Sequence, residues 1–344
     1  MFRLRFMYLS LGLLVLAACS SINDPDPQTP DPVDPLESLY GNYLLECTDL
    51  GGGPRNQLFA KLNDNGKLET VILTWSLDNC EGVYSLSNFD GDPLTEPEHM
   101  QNFEYFEVDG VPKKFFVLKI RNTDESGTTY TIFNKTGMKL HILTDITTFP
   151  DTWEEALEDS DIAEFANDPA TATPATYGIL HFNKGEMPDP IAALYKNWLS
   201  NCVNFGGGEV NQVFATFDDT QPLTANLTWS DPGCMGTYDL FDVLNNPIAE
   251  PTHSQNIQHR PVLGIPLGMF VLKVTTISNN DTLYALIHYN SVTDEFYELV
   301  PFAANHANWS DWLLEEDVSD FADDPAAAMP GSHIKFHFTN SDLP

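Results

Sequence analysis

The sequence predicts a mainly β protein: two tandem antiparallel up-and-down β-barrels, each with a late acidic helix, or alternatively a pair of β-sandwiches. Three observations carry this expectation. The chain repeats itself at an offset that stays between 154 and 156 residues. Apolar and polar residues alternate with a period of two in one short segment after another, as half-buried strands require. Clusters of Asn, Asp and Gly separate those segments as turns. The 344 residues hold 16 Lys and Arg against 50 Asp and Glu, a formal charge of −34, with 42% hydrophobic residues. That is enough apolar material for two cores. The negative field repels phosphate backbones and excludes nucleic acid as a partner.

Residues 1–18 read as a secretory signal, with Arg3 and Arg5 preceding an apolar run too short to span a bilayer. The run ends in Leu16-Ala17-Ala18-Cys19, which resembles a bacterial lipobox. The resemblance implies diacylation of the Cys19 thiol, cleavage before it and acylation of the new N-terminus. Several acyl chains anchor firmly where one does not, so the expected partner of this end is a membrane. Ser20 rather than Asp follows the cysteine. By resemblance to the sorting pattern of Gram-negative lipoproteins, this points to the outer membrane of the cell envelope. Residues 19–37 then form a Pro- and Asp-rich tether with nothing to build a core.

The repeats follow as 38–188 and 189–344. Segment 39–60 matches 194–215 at 12 of 22 positions without a gap, and Leu73-Thr74-Trp75-Ser76 returns as Leu227-Thr228-Trp229-Ser230. Beyond Cys19 four cysteines remain: Cys47 and Cys80 in one copy, Cys202 and Cys234 in the other. Four cysteines allow three pairings, and duplication favours the one within each repeat, in an exported and therefore oxidising setting.

In the first copy, strands are expected at 57–62, 71–75, 83–86, 103–108, 115–120, 128–133 and 139–143, after an opening strand that leads to Cys47. One helix is expected over 153–167, with Ile162, Phe165 and Ala166 on one face and Pro169 beyond its end. A last strand covers 177–182, matched by 334–338. Eight consecutive antiparallel strands close most readily as an up-and-down barrel, which removes exposed edges. Gly41-Asn42-Tyr43 and Lys196-Asn197-Trp198 open the first strand of each copy, and a helix comes after the eighth. This arrangement is similar to lipocalin-like barrels, whose first strand carries Gly-x-Trp. Tyr43 replaces the Trp in one copy and Lys196 the Gly in the other.

The search for chemistry yields one repeated candidate, Glu-Pro-x-His-x-Gln-Asn. It contributes Glu96, His99 and Gln101, then Glu250, His253 and Gln255, as possible ligand contacts. Glu and His are metal ligands and acid–base groups, yet two ligands do not complete a zinc site. Pro97 and Pro251 argue against a helix that would align them. The loop reads more simply as one that fixes the fold, so that removing His99 and His253 would cost stability rather than binding. Gly51-Gly52-Gly53 and Gly206-Gly207-Gly208 lack the Lys-Ser/Thr of a phosphate loop and read as turns. His181 and His337 take equivalent places in the final strands. No catalytic constellation is present, and no cofactor is implied. The expectation is a non-enzymatic, membrane-anchored envelope lipoprotein that binds a small apolar ligand or a partner. A structural or adhesive envelope protein is the alternative, and a metal-dependent hydrolase using the Glu/His loop is a third.

Overall fold

The computed structural model describes residues 34–49, 54–124, 127–204, 208, 210–218 and 222–344. Cys19, most of the tether, Gly51–Gly53 and Gly206-Gly207 lie outside the described residues. The first repeat runs β1 (Gly41–Leu45), β2 (Thr48–Asp49), β3 (Pro54–Leu62), β4 (Lys67–Leu77), β5 (Glu81–Ser87), β6 (Pro93–Leu94), β7 (Glu98–Tyr105), β8 (Phe115–Asn122), β9 (Thr128–Thr136) and β10 (Lys139–Ile146). Helices α1 (Trp153–Ala156) and α2 (Ser160–Asn167) precede β11 (Gly178–Lys184). The second repeat runs β12 (Asn197–Ser200), β13 (Asn211–Thr216), β14 (Leu223–Asp231), β15 (Met235–Phe241), β16 (Pro247–Ile248), β17 (Gln255–Arg260), β18 (Met269–Thr276), β19 (Thr282–Asn290) and β20 (Glu295–Phe302). Then come α3 (Trp309–Trp312), α4 (Val318–Asp323) and β21 (Ile334–Asn340). Among the described residues, no helix is long and apolar enough to cross a membrane.

In the first repeat, eight antiparallel strands close a barrel in the circular order β1-β3-β4-β7-β8-β9-β10-β11. Three expectations change here. The 83–86 strand is not a stave of the barrel. β4 is long enough to take two partners on one side, β7 along 67–70 and β5 along 72–77, so β5 and β6 peel away from the wall. The eighth place belongs to β11, which puts the helices between the seventh and eighth staves rather than after the eighth. The element order behind the lipocalin-like resemblance is therefore not the one observed. The single helix expected over 153–167 is also two. Asp159 Oδ1 accepts from the N–H groups of Asp161 (2.9 Å) and Ile162 (3.4 Å), an N-cap that starts α2 afresh.

The second repeat has the same strand order, but its sheet is not closed. Among the described residues, β14 and the segment just before β17 meet at one bridge, Thr224 to Thr252. Where Leu68 pairs with Gln101 in the first repeat, Pro222 stands at the equivalent position of the second and has no N–H to offer. The expectation of two closed barrels holds for one.

Each sheet buries apolar residues on both faces. Inside the first barrel lie Tyr43, Phe103, Leu118, Phe133, Leu140 and Phe182, plugged at one end by Leu36 and Leu39. Outside, Val117, Ile132 and Leu143 pack under Trp153, Ile162 and Phe165 of the helices. The repeated motifs have a local cause. Trp75 Nε1 donates to Gln57 Oε1 at 3.0 Å and Gln57 Nε2 to Leu45 O at 3.1 Å. Trp229, Gln212 and Ser200 reproduce the relay at 2.9 and 2.8 Å. It lets an indole and an amide sit against the sheet without an unpaired polar atom, whose burial would cost about 1–3 kcal/mol. Gly82 and Gly236 have φ of +83° and +85°, and a Cβ there would lie 2.3 and 2.2 Å from the hydroxyls of Ser76 and Ser230. Those hydroxyls accept from the backbone N–H of Val83 and Thr237, fixing where β5 and β15 begin.

Both disulfides form within a repeat. Cys47 joins Cys80, and Cys202 joins Cys234, each pair with Cα atoms 5.8 Å apart.

Candidate functional site

The Glu-Pro-x-His-x-Gln-Asn loops do not build a converging site. His99 Nε2 meets Asn102 Oδ1 at 3.1 Å, and His253 Nε2 meets Asn256 Oδ1 at 3.1 Å, so each motif histidine is tied to the asparagine three residues on. Gln101 Nε2 donates to Asn122 Oδ1 on β8 at 2.8 Å. Glu96 and Glu250 point to solvent, and Gln255 is only partly buried. What the two loops share is their place at the seam: Glu98 pairs with Thr70, and its counterpart Thr252 bridges Thr224. The histidine bonds are solvent-exposed, where a hydrogen bond contributes least. Among the described residues, no group of three or more His, Cys, Asp or Glu could hold a metal ion.

His181 has a partner that the repeat comparison concealed. It lies directly across from His141, and their Nδ1 atoms are 2.7 Å apart. Burial, with the neighbouring His181 and Lys139, pushes the His141 imidazole down, while Glu46 and Asp168 oppose this. In the second repeat Tyr297 replaces His141, stacks on His337, and leaves His337 bonded to Glu295 at 3.0 Å. Both arrangements are self-contained polar contacts on the outer wall.

A broad concave feature lies between the repeats. Because β5 and β6 leave the first barrel, their outer face reaches the rim of the second sheet. Val83 is buried among Ile191, Leu194, Trp198 and Phe270, inside the core of the other repeat. Tyr84 donates its hydroxyl to Pro188 O in the connecting strap, and its ring packs against Trp75 at a centroid distance of 4.8 Å. Beside this contact a cleft of about 440 Å³ remains open. One wall is Tyr84 to Ser87 with Leu94 and Thr95; the other is His259 with Val262, Ile265, Met269 and Phe270, and Met187 and Pro190 of the connection lie between. Its size falls within the ordinary range for small-molecule sites.

Among the described residues, no Asp, Glu, Lys or Arg lines the cleft, and the ionisable side chains on its lining are Tyr84 and His259. Burial pushes this imidazole down to about 4, with Asp189 opposing and Arg260 reinforcing the shift, so it is neutral at physiological pH. Burial and the nearby Asp189 push the Tyr84 phenol up, and it stays a neutral donor. The cleft is therefore an uncharged, mostly apolar enclosure with a few hydroxyls and one neutral imidazole. It can bind and orient a small molecule. Among the described residues, its lining shows no imidazole hydrogen-bonded to a hydroxyl and no group of metal ligands. No family model, curated protein or solved structure matches the chain.

Proposed function

We propose that this chain is a non-enzymatic, lipid-anchored protein of the bacterial envelope that binds a small apolar ligand in the cleft between its two repeats. The observation that carries the reading is the cleft itself: about 440 Å³, apolar walls contributed by both repeats, and no charged lining. The barrel interior is a poorer candidate. Tyr43, Leu118 and Leu140 fill it with almost no exposed surface, and the cavity at the seam of the second repeat is only about 50 Å³. A binding site at the junction gives the duplication a purpose, because neither repeat forms both walls alone.

The test is titration of the full chain with the uncharged fluorescent probe N-phenyl-1-naphthylamine. Saturable binding is expected, and Ser87→Trp, which places an indole in the cleft, should weaken it at least tenfold without lowering the melting temperature. No saturable binding, or unchanged binding by Ser87→Trp, overturns the assignment. The anchor rests on the lipobox ending in Cys19. Cys19→Ser is expected to release the chain from the membrane fraction or leave its signal uncleaved; a chain cleaved at the same place and still retained would refute it.

A further inference from the structure

We infer that the cleft takes an uncharged amphiphile, an apolar chain ending in a hydroxyl that hydrogen-bonds His259, and that it rejects the corresponding carboxylate. The inference rests on the cleft being a binding site and specifies the chemistry of its ligand. His259 lines the cleft, and its ring nitrogens have no hydrogen-bond partner among the described residues, although most of the ring is enclosed. A neutral imidazole presents one donor and one acceptor. A hydroxyl also has both, so it can satisfy either nitrogen, whereas an ionised carboxylate can only accept.

Charge separates the candidates further. An anion entering the cleft loses water and finds no cation on the lining, and uncompensated desolvation of a charge costs several kcal/mol. Two charges lie close enough to act on His259, Asp189 and Arg260. They have opposite signs, and neither lines the cleft. Arg260 follows His259 on β17 and so belongs to its other face. Asp189 also acts on Tyr84 across the cleft, and its carboxylate already accepts from Ile191 N and the Tyr195 hydroxyl. It repels an anionic head group and has part of its capacity for a cationic one taken. The net charge of −34 adds a long-range bias against anions. Besides His259, the polar side chains on the described lining are Tyr84, Ser85, Ser87 and Thr95, all hydroxyl-bearing, which suits a neutral head group.

The experiment displaces N-phenyl-1-naphthylamine from the full chain at pH 7.5 with 1-decanol, decanoate or decylamine. Decanol is expected to displace the probe at a concentration at least tenfold lower than either charged analogue. His259→Phe keeps the ring and removes the hydrogen bond. It should shrink decanol's advantage over decanoate and decylamine to threefold or less, each competitor being scored against the variant's own affinity for the probe. Equal or better displacement by decanoate or decylamine overturns the inference and leaves the cleft as a binding site. An advantage for decanol that survives His259→Phe does the same, because it would reflect apolarity alone. Failure of the probe to bind, or its indifference to Ser87→Trp, removes the site and the inference together.

Discussion

Oxidised chain carrying Cys47→Ser and Cys80→Ser is expected to lose about 3–4 kcal/mol of unfolding free energy relative to the parent, as read by urea denaturation. The bond closes a segment of 33 residues, and restricting that loop in the unfolded chain has an effect of this size. The companion Cys202–Cys234 closes 32 residues, so Cys202→Ser with Cys234→Ser should cost about the same. Their consequences for binding should differ. Cys80 sits in the turn before β5 and packs against the cluster that contains Trp75, as do Tyr84 and Met187 of the cleft lining. Cys234 occupies the equivalent turn before β15, which lines no part of the cleft. Loss of Cys47–Cys80 should therefore weaken N-phenyl-1-naphthylamine binding, and loss of Cys202–Cys234 should leave it within twofold. Less than 1 kcal/mol for either pair, or equal effects on binding, would contradict this account.

The disulfides were legible because duplication reduced three pairings to one. The strands were legible because alternation is local: Phe115, Val117 and Tyr130, Ile132 face one side of the wall wherever the chain pairs next. What lay beyond local pattern was partner choice. That β4 divides between β5 and β7 depends on where β7 returns, and nothing in residues 67–77 announces it. The break between α1 and α2 was readable in hindsight, since Asp159 before Ser160 is an N-cap signal inside a helical stretch. So was the open seam, where Pro222 replaces Leu68. His99 and His253 recur in both copies. What the two copies share in geometry is the bond from each ring to the asparagine three residues on, Asn102 and Asn256. The cleft had no signature at all. Its walls come from residues about 170 positions apart that share no spacing, and the shared repeat hides the asymmetry that creates it: Val83 inserts into a neighbour, while its counterpart Thr237 is exposed. His141 was hidden for the same reason, since Tyr297 stands in its place.

A departure from the repeat also marks a large pH effect to be expected. On β20, Phe296 belongs to the interior cluster and Tyr297 and Leu299 to the outer one, so alternation turns Glu298 inward. Its cross-strand neighbours are Ile287 and Phe336, and the first repeat places Ile142 at the same position. Part of its surface remains uncovered, but it has no hydrogen-bond partner among the described residues. Burial pushes its carboxyl from 4.5 up to about 7. Below pH 4.5 the group is protonated whether the chain is folded or not, and it does not affect stability. Between pH 4.5 and 7 the unfolded chain releases the proton that the folded chain retains, so stability falls. Above pH 7 the full penalty persists, about 3 kcal/mol. Glu298→Gln copies the protonated form. Urea unfolding should find it equal to the parent at pH 4 and more stable by about 3 kcal/mol at pH 8. His259 acts in the opposite sense. Its lowered pKa gives stability that is present above pH 6.5 and is lost as pH falls toward 4, by a similar amount. The two slopes oppose each other in the parent chain between pH 4.5 and 6.5. Glu298→Gln should expose the histidine slope, and adding His259→Phe should reduce it to the part due to His141 and His288, whose imidazoles burial also pushes down. Equal stability of Glu298→Gln and parent at pH 8 would show that water reaches the carboxylate and that the interior of the second repeat is wet at that point.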